Sequence, residues 1–167
     1  MDLSHLRQPD LFALLSARHA RILRLFDRFA ALPDALLRGR ICAALAEHAR
    51  IEQDIVYPAL LDALGHVAPL DAALADHRDA DELLAEVAFM QPSDNLYAAK
   101  FIMLGEYLRH HIETEQNQLF PLAQDTALDL DALRDQVQGN RASPFTPARR
   151  RPAPCRILRG GYTVSSD

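Results

Sequence analysis

Two stretches limit how this chain can fold more than anything else in it: HARIEQDIVYP at 48–58 and HIETEQNQLFP at 111–121. In both, His is followed at +4 by Glu and then Gln, with Tyr or Phe at +9 and Pro at +10. Residues four apart share one face of an α-helix, so each copy aims an imidazole and a carboxylate the same way. The surrounding apolar period turns that face inward. A buried ionised carboxylate is costly unless it is paired or binds a metal. The fold must therefore bring the two faces together around something that answers their charge.

The rest of the chain supplies helices for that purpose. Asp10 reads as an N-cap, followed by Leu11, Leu15, His19, Ile22, Phe26 and Phe29 at helical spacing, with a stop by Pro33. Asp34 caps a second helix whose inner stripe is Leu37, Ile41, Leu45, His48, Glu52 and Ile55, running to about Leu64. Pro58 lies inside it and is expected to kink it by freeing the carbonyl of Asp54. A third helix is expected from Leu70 to Met90, with Leu70, Leu74, His77, Asp81, Leu84 and Ala88 on one face. A fourth carries Phe101, Leu104, Leu108, His111, Glu115 and Leu119, ending near Pro121. A shorter amphipathic piece at 128–137 follows. Short connections make an all-α, up-down-up-down four-helix bundle the natural packing, with one short extra C-terminal helix. No strand pattern competes.

Domain limits follow from composition. Residues 1–138 read as the helical body and 139–167 as a Pro/Arg-rich tail expected to be disordered. The tail holds six Arg and one Asp, a net of +5; against a total of −5, the body carries −10. An acidic body argues against nucleic acid as its ligand. The R149-R150-R151 run reads as part of a solvated extension. No apolar run approaches the roughly 20 residues that span a bilayer, and no leader pattern is visible, so a cytoplasmic soluble protein is expected. Cys42 and Cys155 form no C-x-x-C pair and imply no disulfide framework.

Four inner stripes hold six donor residues: His19; His48 with Glu52; His77; and His111 with Glu115. The arrangement is a duplicated hairpin, His and then His-x-x-x-Glu, with 29 residues between the two His in one copy and 34 in the other. Register agrees with this in the first hairpin, where His19 lies 14 residues before Pro33 and His48 lies 15 after it. In the second, His77 is 15 before Pro92 and His111 is 19 after it, about one helical turn out of step. Four imidazoles and two carboxylates, with no Lys or Arg on those stripes, suit two metal ions with two His each and both Glu bridging. Iron is the natural choice for such an open N/O set. A closed structural zinc site would take four ligands, commonly thiolates. Asp81 stands equally as a further ligand, a hydrogen-bond partner of one, or a polar edge residue. Tyr57, Phe120 and Tyr107 read as packing around the site. His5, His66 and His110 read as lying off the inner stripes.

Taken in order, RHARIL around His19, HARIEQDIVYP, DHRDADELL around His77 and HIETEQNQLFP resemble the hemerythrin-like (HHE cation-binding) family over about residues 5–125. The resemblance implies a four-helix bundle holding a non-haem di-iron centre, oxo- or hydroxo-bridged. It also implies binding of dioxygen, sensing of oxygen, iron or nitric oxide, or maintenance of iron–sulfur centres. Oxygen-carrying members have a further His one turn before the third-helix ligand, where this chain has Ala73. That departure argues against simple oxygen storage.

The leading expectation is a di-iron binding protein that engages a small diatomic ligand, O2 or NO, for sensing, binding or an iron/redox stress response. A di-iron redox enzyme acting on peroxide or NO is the alternative, and a binding role is favoured over catalysis. A metal-free helical interaction module is the third reading, weakened by the lack of inward Lys or Arg.

Overall fold

The computed structural model describes residues 10–140, with Ala88 described in its backbone only. Seven α-helical segments and two π-helical turns make up the described chain, and it contains no strand. Helix α1 spans Leu11–Ala31, and the Asp10 carboxylate accepts from the Ala13 N–H at 2.7 Å to satisfy a free first-turn donor. Helix α2 spans Ala35–Ile51 and is capped in the same way by Asp34 on the Leu37 N–H. A π turn, Glu52–Val56, leads into α3, Tyr57–Leu64. Gly65, at φ 66, ends α3 in the left-handed region that glycine enters without steric cost.

Helix α4 spans Ala68–Phe89, with Pro69 in its first turn, where a missing N–H costs nothing. Helix α5 spans Tyr97–Thr114, a second π turn covers Glu115–Leu119, and α6 spans Phe120–Gln124. The short helix α7, Leu130–Gly139, is capped by Asp129 on the Ala132 N–H and buries Leu133 and Val137. Of the predicted tail, 139–167, Gly139 ends α7 and Asn140 caps it, while 141–167 lie outside the described residues, as does His5.

The expected simple kink at Pro58 is instead a π turn, and the same happens before Pro121. In each case the N–H of the residue before proline reaches back five places, Tyr57 to the Glu52 carbonyl and Phe120 to the Glu115 carbonyl. Proline has no N–H to continue the α ladder. The widened turn takes up that loss without breaking the rod, and each π turn opens on a glutamate of the repeat.

Two apolar clusters fill the bundle. One contains Leu15, Ile51, Ala73 and Leu119; the other contains Ile22, Leu45, Leu84 and Leu108. On α1 the chain passes from the first cluster through His19 to the second, and on α2 it returns from the second through His48 to the first. Helices α4 and α5 repeat the alternation through His77 and His111. This alternation is the up-down-up-down topology, and it leaves a polar layer between two dry ones. The one-turn mismatch of the second hairpin is absorbed by the longer connection at 90–96, against only 32–34 in the first.

Candidate metal centre

The polar layer consists of His19, His48, Glu52, His77, His111 and Glu115, all buried. Each reaches the interior because it falls on an apolar stripe, so the helix that buries the stripe buries the donor as well. Glu52 is the hub. Its Oε1 lies 2.9 Å from His19 Nε2 and 3.2 Å from His48 Nδ1, and its Oε2 lies 3.0 Å from His77 Nε2 and 3.8 Å from His111 Nε2. Glu115 Oε2 lies 3.5 Å from both His19 Nε2 and His111 Nε2. Donor atoms of His48, Glu52, His77 and His111 fall within 4.8 Å of one another, as do those of His19, Glu52 and Glu115. Glu52 is common to both groups. The first group holds three imidazoles and the second one.

Electrostatics separates the carboxylates. Burial alone would raise Glu52, but the charge of His48 and hydrogen bonds from His111, His19 and His48 pull it well below the usual carboxylate range. Glu115 is raised, by burial and then by the nearby Glu52 charge. The imidazoles divide too. Burial lowers His48 to about 4, against the opposing pull of Glu52. Burial also acts to lower His111, yet its hydrogen bond to Glu52 and the charges of Glu115, Glu52 and Asp76 raise it to about 9. Two adjacent acids buried without Lys or Arg are thus held by sharing protons with histidine. Even so, His19 Nδ1, His48 Nε2 and Glu115 Oε2 are buried with no hydrogen-bond partner. Such orphaned atoms are uncommon in folded proteins, and of the three Glu115 Oε2 faces the donor cluster, where it could ligate an ion.

Around the donors lies a set of supporting groups that periodicity alone did not single out. The Tyr57 hydroxyl donates to Glu115 Oε1 at 2.7 Å, and its oxygen lies 3.2 Å from Glu52 Oε2 and 3.1 Å from His77 Nε2. Tyr57 is therefore part of the polar layer, beyond the packing role its position in the sequence implies. Burial and the two carboxylates push its phenol well above the usual range. Gln53 Nε2 lies 3.1 Å from His77 Nδ1, and Asp76 Oδ2 lies 3.4 Å from His111 Nδ1. Tyr107 donates toward Asp76 Oδ1 (3.2 Å) and Asp79 Oδ2 (3.0 Å).

Asp81 falls outside both donor groups and instead lines a cavity beside them. His110 is exposed, and His66 is exposed and paired with Asp71. Asp76 could have been found from the sequence as a carboxylate directly before a stripe histidine. Tyr57 could have been found as the hydroxyl by which the first repeat differs from Phe120 of the second.

The described helices include none long and apolar enough to cross a membrane. Neither the curated proteins nor the solved structures contain a significant match to the chain. The family model of the Hemerythrin HHE cation binding domain matches residues 10–123, which include all six donors and both π turns. The chain belongs to that family, and its buried His/Glu cluster is a set of residues that could hold a cation.

Proposed function

We propose that the protein binds two iron ions through His19, His48, Glu52, His77, His111 and Glu115, and uses them to engage O2 or NO in sensing or in a response to iron or redox stress. The observation behind this reading is the convergence of two buried carboxylates and four imidazoles with no Lys or Arg among their ion pairs and three polar atoms left without partners. A divalent ion would neutralise the carboxylates, take up the unpartnered Glu115 Oε2 and displace the shared protons. The N/O donor set suits first-row metals, and six protein residues over two ions leave positions for an outside ligand.

Glu52, which touches all four imidazoles, is the group best placed to bridge, and Glu115 is the second. Asp76 accepts from His111 Nδ1 and so leaves Nε2 free to face inward, and Gln53 would do the same for His77 with its amide turned so that Oε1 accepts from Nδ1–H. The Tyr57 hydroxyl steadies both carboxylates from one side. Bound iron would supply reversible one-electron chemistry and an affinity for diatomic molecules. The chain's own part is to hold it in a dry layer between two apolar clusters. Residues 1–138 are proposed as the working unit and 139–167 as an appendage.

Metal analysis after aerobic purification should approach two irons per chain, and spectra of the reduced protein should change on adding O2 or NO. A well-folded protein that refuses iron would sink the reading. His48→Ala and Glu52→Ala should lose metal, whereas His66→Ala, at an exposed site, should keep it.

A further inference from the structure

Between α2, α4 and α5 lies a cavity of about 30 Å³, against the His48, His77 and His111 side of the donor cluster. One water needs roughly 10–15 Å³ on this measure, so the space suits a molecule of two or three heavy atoms. Apolar side chains form the walls, among them Leu45, Ala49, Leu84 and Leu108. The half-buried residues Asp76, Ala80, Asp81 and Tyr107 form the outer edge. His48 lines the cavity, and its Nε2 is one of the buried atoms with no partner.

The internal repeat explains why the space is on this side. Ala80 stands three residues after His77, and the residue three after His19 is Ile22. Ala49 follows His48, and Ile112 follows His111. Both isoleucines are buried in the apolar cluster that contains Phe26 and Leu108. At two positions of the repeat, then, the residue lining the cavity is alanine, Ala80 in the second half and Ala49 in the first, where its counterpart is isoleucine, and the missing methylenes coincide with the cavity. The edges differ in the same way: Asp76, Tyr107 and Asp81 correspond to Arg18, Ala44 and Leu23.

We propose that this cavity is the route by which an outside ligand reaches the centre, that the duplicated site opens on this one side, and that the acidic edge selects an uncharged diatomic molecule over an anion of similar size. The inference rests on the iron-binding reading above. Small apolar walls exclude larger organic molecules, and carboxylates at the mouth raise the local cost of bringing in negative charge.

The test compares full-length variants by iron count, thermal stability and rapid mixing of the reduced protein with NO. Ala80→Ile, and Ala49→Val should Ala80→Ile fail to fold, is expected to keep its iron while NO association slows at least tenfold. Ile22→Ala, on the opposite side, is expected to stay within about twofold of the parent rate. Azide binding to the oxidised protein should quicken severalfold in Asp81→Asn, with NO association unchanged. Iron-loaded Ala80→Ile and Ala49→Val proteins that both bind NO at the parent rate would overturn the route while leaving the iron reading intact. An unchanged azide rate in Asp81→Asn would overturn the charge selection. A parent protein that takes up no iron is recognised from the metal count alone and would remove the basis of both.

Discussion

Glu52 and Glu115 occupy the same place in the repeat, yet their surroundings push them in opposite directions, one below and one above the usual carboxylate range. The histidines after which they stand are split as well, and a pH dependence of the metal-free protein follows. His48 falls from 6.5 to about 4 on folding, so the unfolded chain takes up its proton first, and stability is lost as pH drops from 6.5 toward 4. His111 rises from 6.5 to about 9, so its contribution is fully present below 6.5 and is lost as pH climbs through 9. Each is worth roughly 3 kcal/mol over its full window. Denaturant titration of the metal-free protein should therefore show a stability maximum where the two windows meet, near pH 6.5, falling on both sides. A profile flat from pH 5 to 9 would contradict the opposed shifts. Iron uptake near neutral pH should also release a proton from His111, measurable in weakly buffered solution.

Six donors were legible because each sits on a helical stripe and the layout occurs twice. Asp76 left only a faint signal, its place directly before His77, because it lies one residue off the stripe and meets His111 only when α4 packs on α5. Asp76→Ala should weaken metal binding by roughly 10–100-fold with little change in helix content, as expected for a group that orients a ligand. Competition with a chelator, read beside circular dichroism, separates that outcome from misfolding.

At the scale of elements, capping and periodicity placed the helices, with α1 and α2 starting after their Asp caps as the sequence implies. The π turns were hidden because Pro58 removes a donor without dictating how the ladder repairs itself. That choice depends on Tyr57 and Phe120 being anchored in the core, a tertiary fact. Close helix approach was equally silent. A Cβ built on Gly105 of α5 would stand 2.8 Å from Phe26 Cδ1 and 3.3 Å from Phe26 Cβ on α1, too near the ring's root for rotation to relieve it. Gly105→Ala gains about 1 kcal/mol of helix propensity and should roughly cancel against the clash. Gly105→Leu cannot be absorbed, and a loss of about 1–3 kcal/mol is expected from overpacking. Chemical denaturation of the two variants would show the difference, and equal stability would mean that α1 and α5 can part at no cost.

Across the whole molecule, a polar layer sits between two apolar clusters, so the bundle is stabilised at both ends and electrostatically strained in the middle. Binding that occurs only in the folded state adds stability in proportion to the logarithm of ligand over Kd, about 4 kcal/mol at a thousandfold excess. For a body of this size that corresponds to roughly 15 °C in Tm. Because all six donors lie within residues 10–123, deleting 141–167 should change neither the iron count nor this increment. Scanning calorimetry of full-length and truncated protein, each with iron and after chelation, gives four transitions to compare. The two iron-dependent shifts should agree within a few degrees. A truncated body that folds but loses the shift would bring the Arg-rich segment into the centre's stability, against its acidic-body, basic-tail division. A full-length protein showing no shift at all would mean that the buried carboxylates are already satisfied by histidine alone.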